Sequence, residues 1–205
     1  MWMELAPASR LGFVLYGGTA VALRYGHRAS VDFDFFNERA LDKAALRAAM
    51  PLLSEAAVLQ DSTDTLTVLA NSDRPVKISF FGGIAFGRVG EPDLTDDGVL
   101  VVASPLDLLA TKLKAIFDRI EAKDYRDIAA ILRSGVHLSG GLAAGQALFG
   151  KAFQPAEALK TLVYFEGGDL DELSAEDRKY LVAAVSAVQA IPAMQRVSFH
   201  LSASY

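Results

Sequence analysis

LYGGTAVALRYGHRASVDFDFFN, residues 15–37, is the stretch around which the rest of the 205-residue chain arranges itself. It reads as a short apolar strand running into Gly17-Gly18, a helix that opens at Thr19 and stops near Gly26, and a second strand carrying Asp32 and Asp34. One residue separates the two aspartates in a β-forming run, so they share a face while Val31, Phe33 and Phe35 point to the core. Like charges held this close repel in a dry site unless a cation joins them, which makes Asp32 and Asp34 candidate ligands of a divalent metal such as Mg2+. A Gly-Gly turn lets backbone approach a ligand, and the free N–H groups of a first helical turn attract anions. Gly17, Gly18 and Thr19 are therefore candidate phosphate contacts. A phosphate cradle followed by a metal-binding pair is the minimal equipment for moving a nucleoside phosphate. Each signal alone also fits a plain turn or a solvated strand face.

Outward from this unit, Arg28 stands just ahead of the acidic strand, placed either to contact a phosphate or to hold the turn against Asp32 or Asp34. His27 reads as a surface or packing residue. Residues 37–51 carry Leu41, Ala45, Leu46 and Ala49 at helical spacing, a cover for a sheet. Strands are expected at 56–59, 66–69 and 76–80, joined by turns at 61–64 and 71–75. Lys77 sits in the third of these, as a phosphate contact or a solvated edge lysine. Residues 82–98 read as sheet and turns, and 99–103 as a last strand.

Ser104-Pro105-Leu106-Asp107 is a strong helix start, with a capping serine, proline at the first position and an acid in the first turn. Leu108, Leu109, Leu113 and Ile116 point inward from it, and Lys112, Lys114 and Arg119 are its basic positions. Asp124 and Asp127, three residues apart in the next helix, share a face that looks back toward Lys112. Alternatively Asp124 caps that helix and Asp127 pairs with Lys123 or Arg126. Gly135 ends it, and three Ala-rich helices follow at 139–153, 155–165 and 175–190, the last capped by Ser174. The acidic run 166–176 reads as a solvated linker, the last residues as short strand-like alternation, and His200 carries no motif.

A hydrophobic content of 52% with a net charge of −5 describes a folded domain and excludes a broad DNA-coating surface, which needs clustered basic groups. A small patch of Arg24, His27, Arg28, Lys112, Lys114 and Arg119 still suits a nucleic-acid end. Without cysteine there is no disulfide framework, thiol nucleophile or thiolate metal site. No apolar run reaches the length of a membrane span, and a cytoplasmic location with no membrane partner is the expectation.

The Gly-Gly turn, the Arg28-Ala29-Ser30 segment and the Asp-x-Asp pair together resemble the first motif of the DNA polymerase β-like nucleotidyltransferase superfamily, and within it the AbiEii/AbiGii-type toxin branch. The resemblance resumes at residues 104–132, where Lys112 follows Leu-Leu-Ala and Lys-Asp-Tyr-Arg-Asp stands for the branch's Arg-Asp-x-x-Asp, with Lys123 in place of arginine. It implies an α+β fold: a mixed sheet with covering helices over residues 1–134 as the catalytic domain, and a mainly helical region over 135–205 packed on it. It also implies that Lys112 holds a triphosphate, that Asp124 orients or deprotonates the acceptor hydroxyl, and that Asp127 supports it. The third carboxylate of the superfamily is missing, because Lys77 and Ser79 occupy the strand expected to carry it. The implied activity is Mg2+-dependent transfer of a nucleoside monophosphate from a nucleoside triphosphate to an acceptor hydroxyl, with a transfer-RNA 3′ end among the acceptors. Growth inhibition and a cognate antitoxin follow from the same resemblance. A non-catalytic nucleotide-binding or regulatory protein, and a transferase acting on a small molecule, stay open as alternatives.

Overall fold

The computed structural model describes residues 1–70 and 75–203. Its helices are α1 (Ala6–Arg10), α2 (Gly17–Tyr25), α3 (Lys43–Ala49), α4 (Leu52–Glu55), α5 (Pro105–Asp118), α6 (Ala122–Arg133), α7 (Leu138–Phe149), α8 (Pro155–Leu162) and α9 (Ala175–Ser186). Its strands are β1 (Val14–Tyr16), β2 (Phe33–Phe36), β3 (Ala57–Ser62), β4 (Thr65–Ala70), β5 (Val76–Phe81), β6 (Asp93–Leu94) and β7 (Val101–Val102). They form one mixed sheet in the order β3-β4-β5-β2-β1-β7-β6. The α+β architecture is the one expected: a central mixed sheet, flanking helices and a helical C-terminal region.

The first two strands lie in the middle of the sheet, β1 antiparallel to β2 and β2 parallel to β5. Register places Tyr16 opposite Asp34 and Asp34 beside Ser79, so these three share a face. The other face is aromatic: Phe35 stacks on Phe80 at 5.2 Å, and Phe13 meets Phe80 edge-on at 5.3 Å. Helix α5 begins as its sequence dictates. Ser104 Oγ accepts from the Asp107 N–H at 3.1 Å, Pro105 is the first residue, and Leu108, Leu109, Leu113 and Ile116 are buried. Helices α2, α5 and α6 pack on one another, α7 and α8 pack on α5, and α9 on α6. α7 lies close against α5 because Gly141 faces Leu109, where any Cβ would collide.

Several expectations are corrected. Val31 is 53% exposed because β2 starts only at Phe33. The helix expected over 37–51 is a shorter α3, capped by Asp42 and followed by the separate turn α4. Of the expected turns, 61–64 contracts to the two residues between β3 and β4, while 71–74 lie outside the described residues. The stretch 82–98 contains one short strand, β6, and among the described residues the C-terminal alternation yields a single bridge, between Arg88 and Ser198. The acidic run 166–176 is no solvated linker. Leu170 and Leu173 are buried, Asp169 accepts the Ala122 N–H at 2.6 Å, and Arg178 donates to the Leu170 and Leu173 carbonyls. Two leucines with caps on either side outweigh the surrounding charge. Among the described residues no helix is long and apolar enough to cross a membrane.

Candidate active site

The strand β1 ends at Tyr16 and the chain turns into α2 through Gly17 at φ +73°, a conformation that side chains resist. A Cβ at Gly17 would strike the Asp34 carboxylate, and one at Gly18 would strike the Arg28 guanidinium. The glycine pair is thus demanded first by the protein's own charged side chains, which it lets come up against the helix start. No side chain caps α2, so the N–H groups of its first turn are available to an anion. The Thr19 hydroxyl is already committed to the Asp32 carbonyl and, at 3.0 Å, to Ser30 Oγ. Any ligand contact from Thr19 is therefore made by its backbone.

Asp34 lies in a cavity of about 290 Å3 with Tyr16, Gly17, Lys112 and Arg119. Burial pushes its carboxyl above the usual range and the neighbouring Asp32 adds to this, while Lys77, Lys112 and a hydrogen bond to Ser79 act the other way. Asp32 is half exposed and pairs with Lys77 at 3.4 Å. Burial also raises the Tyr16 phenol well above its ordinary value, with Asp107 contributing. Among the described residues no group of three or more histidines, cysteines or acids stands ready to hold a metal. Two adjacent carboxylates, one resisting ionisation, fit a hard cation that draws its remaining oxygens from substrate phosphate and water.

Behind Asp34 runs a chain of buried charge joining three parts of the sequence. Lys112 Nζ lies 2.7 Å from Asp124 Oδ1 and 2.6 Å from Asp127 Oδ2. Arg119 donates through Nε and Nη2 to Asp124 at 2.7 and 3.2 Å. Arg28 grips Asp127 through Nε and Nη2 at 2.7 and 3.0 Å, and His27 Nε2 reaches the same carboxylate at 2.7 Å. Both aspartate side chains are wholly buried. Burial alone would raise them, yet these cationic partners hold both below the usual carboxylate range. Arg28 and Lys112 are held wholly within this network, whereas Arg119 is shared between Asp124 and Glu121, the latter at 3.1 Å.

The structure thus brings Gly17, Gly18, Asp34, Lys112, Asp124, Asp127 and Arg28 into one connected cluster, with Asp32 and Lys77 on its exposed side. Three expectations change. Asp124 neither caps α6, where Glu121 holds that position, nor suits the role of general base, being inaccessible, depressed and held by two cations. Arg28 spends its fork on Asp127 rather than on Asp32 or Asp34. The basic patch dissolves: Arg24 pairs with Asp93 and donates to Val102 and Ala103 carbonyls, and Lys114 pairs with Asp118. The sequence reading placed His27 as a surface or packing residue or in the basic patch, not beside Asp127, and gave Arg119 no partner. Arg119 was findable, since it follows Lys112 by seven residues and so returns to the same helical face. A larger cavity of about 690 Å3, at Trp2, Arg24, Asp93 and Asp97, shares no residue with this one; its acidic wall does not suit an anionic nucleotide.

Solved structures with this architecture define the class. A candidate nucleotidyltransferase from H. pylori superposes with a TM-score of 0.59 at 18% identity, covering 90% of this chain and 89% of the other. An antigenic nucleotidyltransferase-like protein from Paracoccidioides brasiliensis gives 0.56 at 16% identity, covering 94% of each. The fold is that of the nucleotidyltransferases. The model of the AbiEii nucleotidyl transferase toxin family, of type IV toxin–antitoxin systems, matches residues 5–195, and the chain belongs to that family. It is also 33% identical over 159 residues to the uncharacterized protein aq_aa25 of Aquifex aeolicus (strain VF5), covering 75% of this chain and 74% of that one.

Proposed function

We propose that the protein transfers a nucleoside monophosphate from a nucleoside triphosphate to an acceptor hydroxyl, acting as a growth-inhibiting toxin countered by a cognate antitoxin. The observation that carries this reading is the meeting of an uncapped helix start, Asp34, Lys112 and Arg119 around one cavity. In this reading residues 1–134 form the catalytic unit and 135–205 its helical cover, and a transfer-RNA 3′ end is the first acceptor to try.

Asp32 and Asp34 would hold Mg2+, which when bound offsets charge on the phosphoryl oxygens. The Gly17, Gly18 and Thr19 amides orient the same phosphates at the start of α2. Lys112 and Arg119 place positive charge on the cavity wall, where it favours the developing negative charge of the transition state. Asp124 and Asp127 fix Lys112 from two sides, and Arg28 and His27 fix Asp127 in turn. Lys77, paired with Asp32 at 3.4 Å, would meet the outer phosphates from the exposed side of the site. The acceptor hydroxyl is left to lose its proton to Asp32, the exposed member of the pair, or to water. Ser79 beside Asp34, where a third carboxylate would stand, favours the second reading of a nucleotide-binding protein without turnover.

The test is to incubate purified protein and Mg2+ with each labelled triphosphate and total RNA, following label transfer and pyrophosphate release, with Asp34→Asn as control. Transfer by the parent and none by the variant is the expected result. Triphosphate binding with no release under any acceptor condition would instead establish the binding-protein reading.

A further inference from the structure

Strands β2 and β5 end in paired phenylalanines, Phe35-Phe36 and Phe80-Phe81, and alternation sends one of each pair to either face. Phe35 and Phe80 are buried core residues. Phe36 and Phe81 are register partners on the face that carries Asp34, remain only partly covered, and line the same cavity as Asp34 and Lys112. A solvated strand face carrying a charged site would place polar residues there. Two partly open rings beside a phosphate-binding end call for a ligand with an aromatic face.

Distance agrees. Phe36 lies two residues beyond Asp34, about 7 Å along the strand, so a group held there is separated from the aspartate by roughly the width of a sugar. The ring is also held in place before any ligand arrives: Tyr16 stacks on it at 4.9 Å and 15°, and Phe81 stands against it at 5.3 Å and 88°. Rings already ordered cost little to immobilise on binding. On the facing helix, the Thr111 hydroxyl is bonded to the Leu108 carbonyl at 2.9 Å, and Ala115 adds an apolar surface to the same wall.

We propose that Phe36 and Phe81 form the nucleoside end of the cavity, gripping the base of the triphosphate by ring contact while Asp34 and Lys112 face its phosphates. The inference rests on the reading of the phosphate end given above. The experiment compares ATP, GTP, CTP and UTP with inorganic tripolyphosphate, each with Mg2+, by calorimetric titration of the parent, Phe36→Leu and Phe81→Leu. Leucine keeps the apolar bulk that packs against Tyr16 and removes the π face.

The expected result is that at least one nucleotide binds the parent about tenfold or more tightly than tripolyphosphate, the margin of one base–ring stack. Both variants should lose most of that margin and keep the tripolyphosphate affinity. A margin that survives in both variants, or is absent in the parent, overturns the assignment. A variant that loses both ligands equally has lost the cleft and counts against the rings as well. If the parent binds neither nucleotide nor tripolyphosphate, the reading of the phosphate end falls, and this one with it.

Discussion

Asp34 is held in its folded place against its own preference. Its carboxyl is raised, first by burial and then by Asp32, so its ionised form is destabilising in the absence of a cation. The sign follows from linkage: a carboxylate raised on folding lowers stability at neutral pH, and the penalty fades as pH falls toward its folded value. Asp34→Asn should therefore melt higher than the parent at pH 7, by roughly 2–4 °C for each ~1 kcal/mol of relief, and the gap should narrow at a second, acidic pH that approaches the raised folded value. Calorimetric scans at the two pH values check this, and the same variant should show no pyrophosphate release. A substitution that raises stability while abolishing activity marks a group kept for its chemistry.

Between the elements, Asp127 ties the end of α2 to α5 and α6 through Arg28, His27 and Lys112. Its carboxyl is depressed, so the stability it contributes is fully present above about pH 3.9, the unfolded value, and is lost progressively as pH falls from there toward the lower folded value. Asp127→Asn should cost about 3 kcal/mol or more at pH 7, the scale for leaving buried charges without a partner, and should flatten the acid limb of stability against pH. Urea unfolding from pH 7 to pH 3 measures both. This network also marks how far the sequence could be read. The capped start of α5, the turn into α2 and the shared face of Asp124 and Asp127 were legible because each depends on residues within one turn of each other. The partner chosen by each charge was not, since Arg28 and Asp127 are 99 residues apart and meet only through the packing of three helices. Leu170 and Leu173 were hidden for a related reason: an apolar pair inside an acidic run has no local period, and only α6 and α9 give it somewhere to go.

Over the whole molecule, α5 and α6 lend the site Lys112, Arg119, Asp124 and Asp127 from one side and are covered by α7, α8 and α9 on the other. Residues 1–134 expressed alone would bare Leu109, Leu113 and Leu132, which are buried in the intact chain. That fragment should be poorly soluble and lack a cooperative melt, whereas the full chain melts as one unit; circular dichroism on heating distinguishes them. That outcome would make the proposed division into a catalytic unit and a cover one of role, with the cover needed for folding. The order of the sheet carries a consequence for synthesis. The strands made first, β1 and β2, occupy its middle and wait for β5 on one flank and β7 on the other. A chain still on the ribosome, with both aspartates and the glycine pair already translated, has neither its flanking strands nor the lysine that completes the charge cluster. A product that ends before Asp127 lacks a carboxylate that fixes Lys112, and one that ends before α9 lacks the cover over α6, so in the proposed reading the site is assembled only after the helical cover has been made.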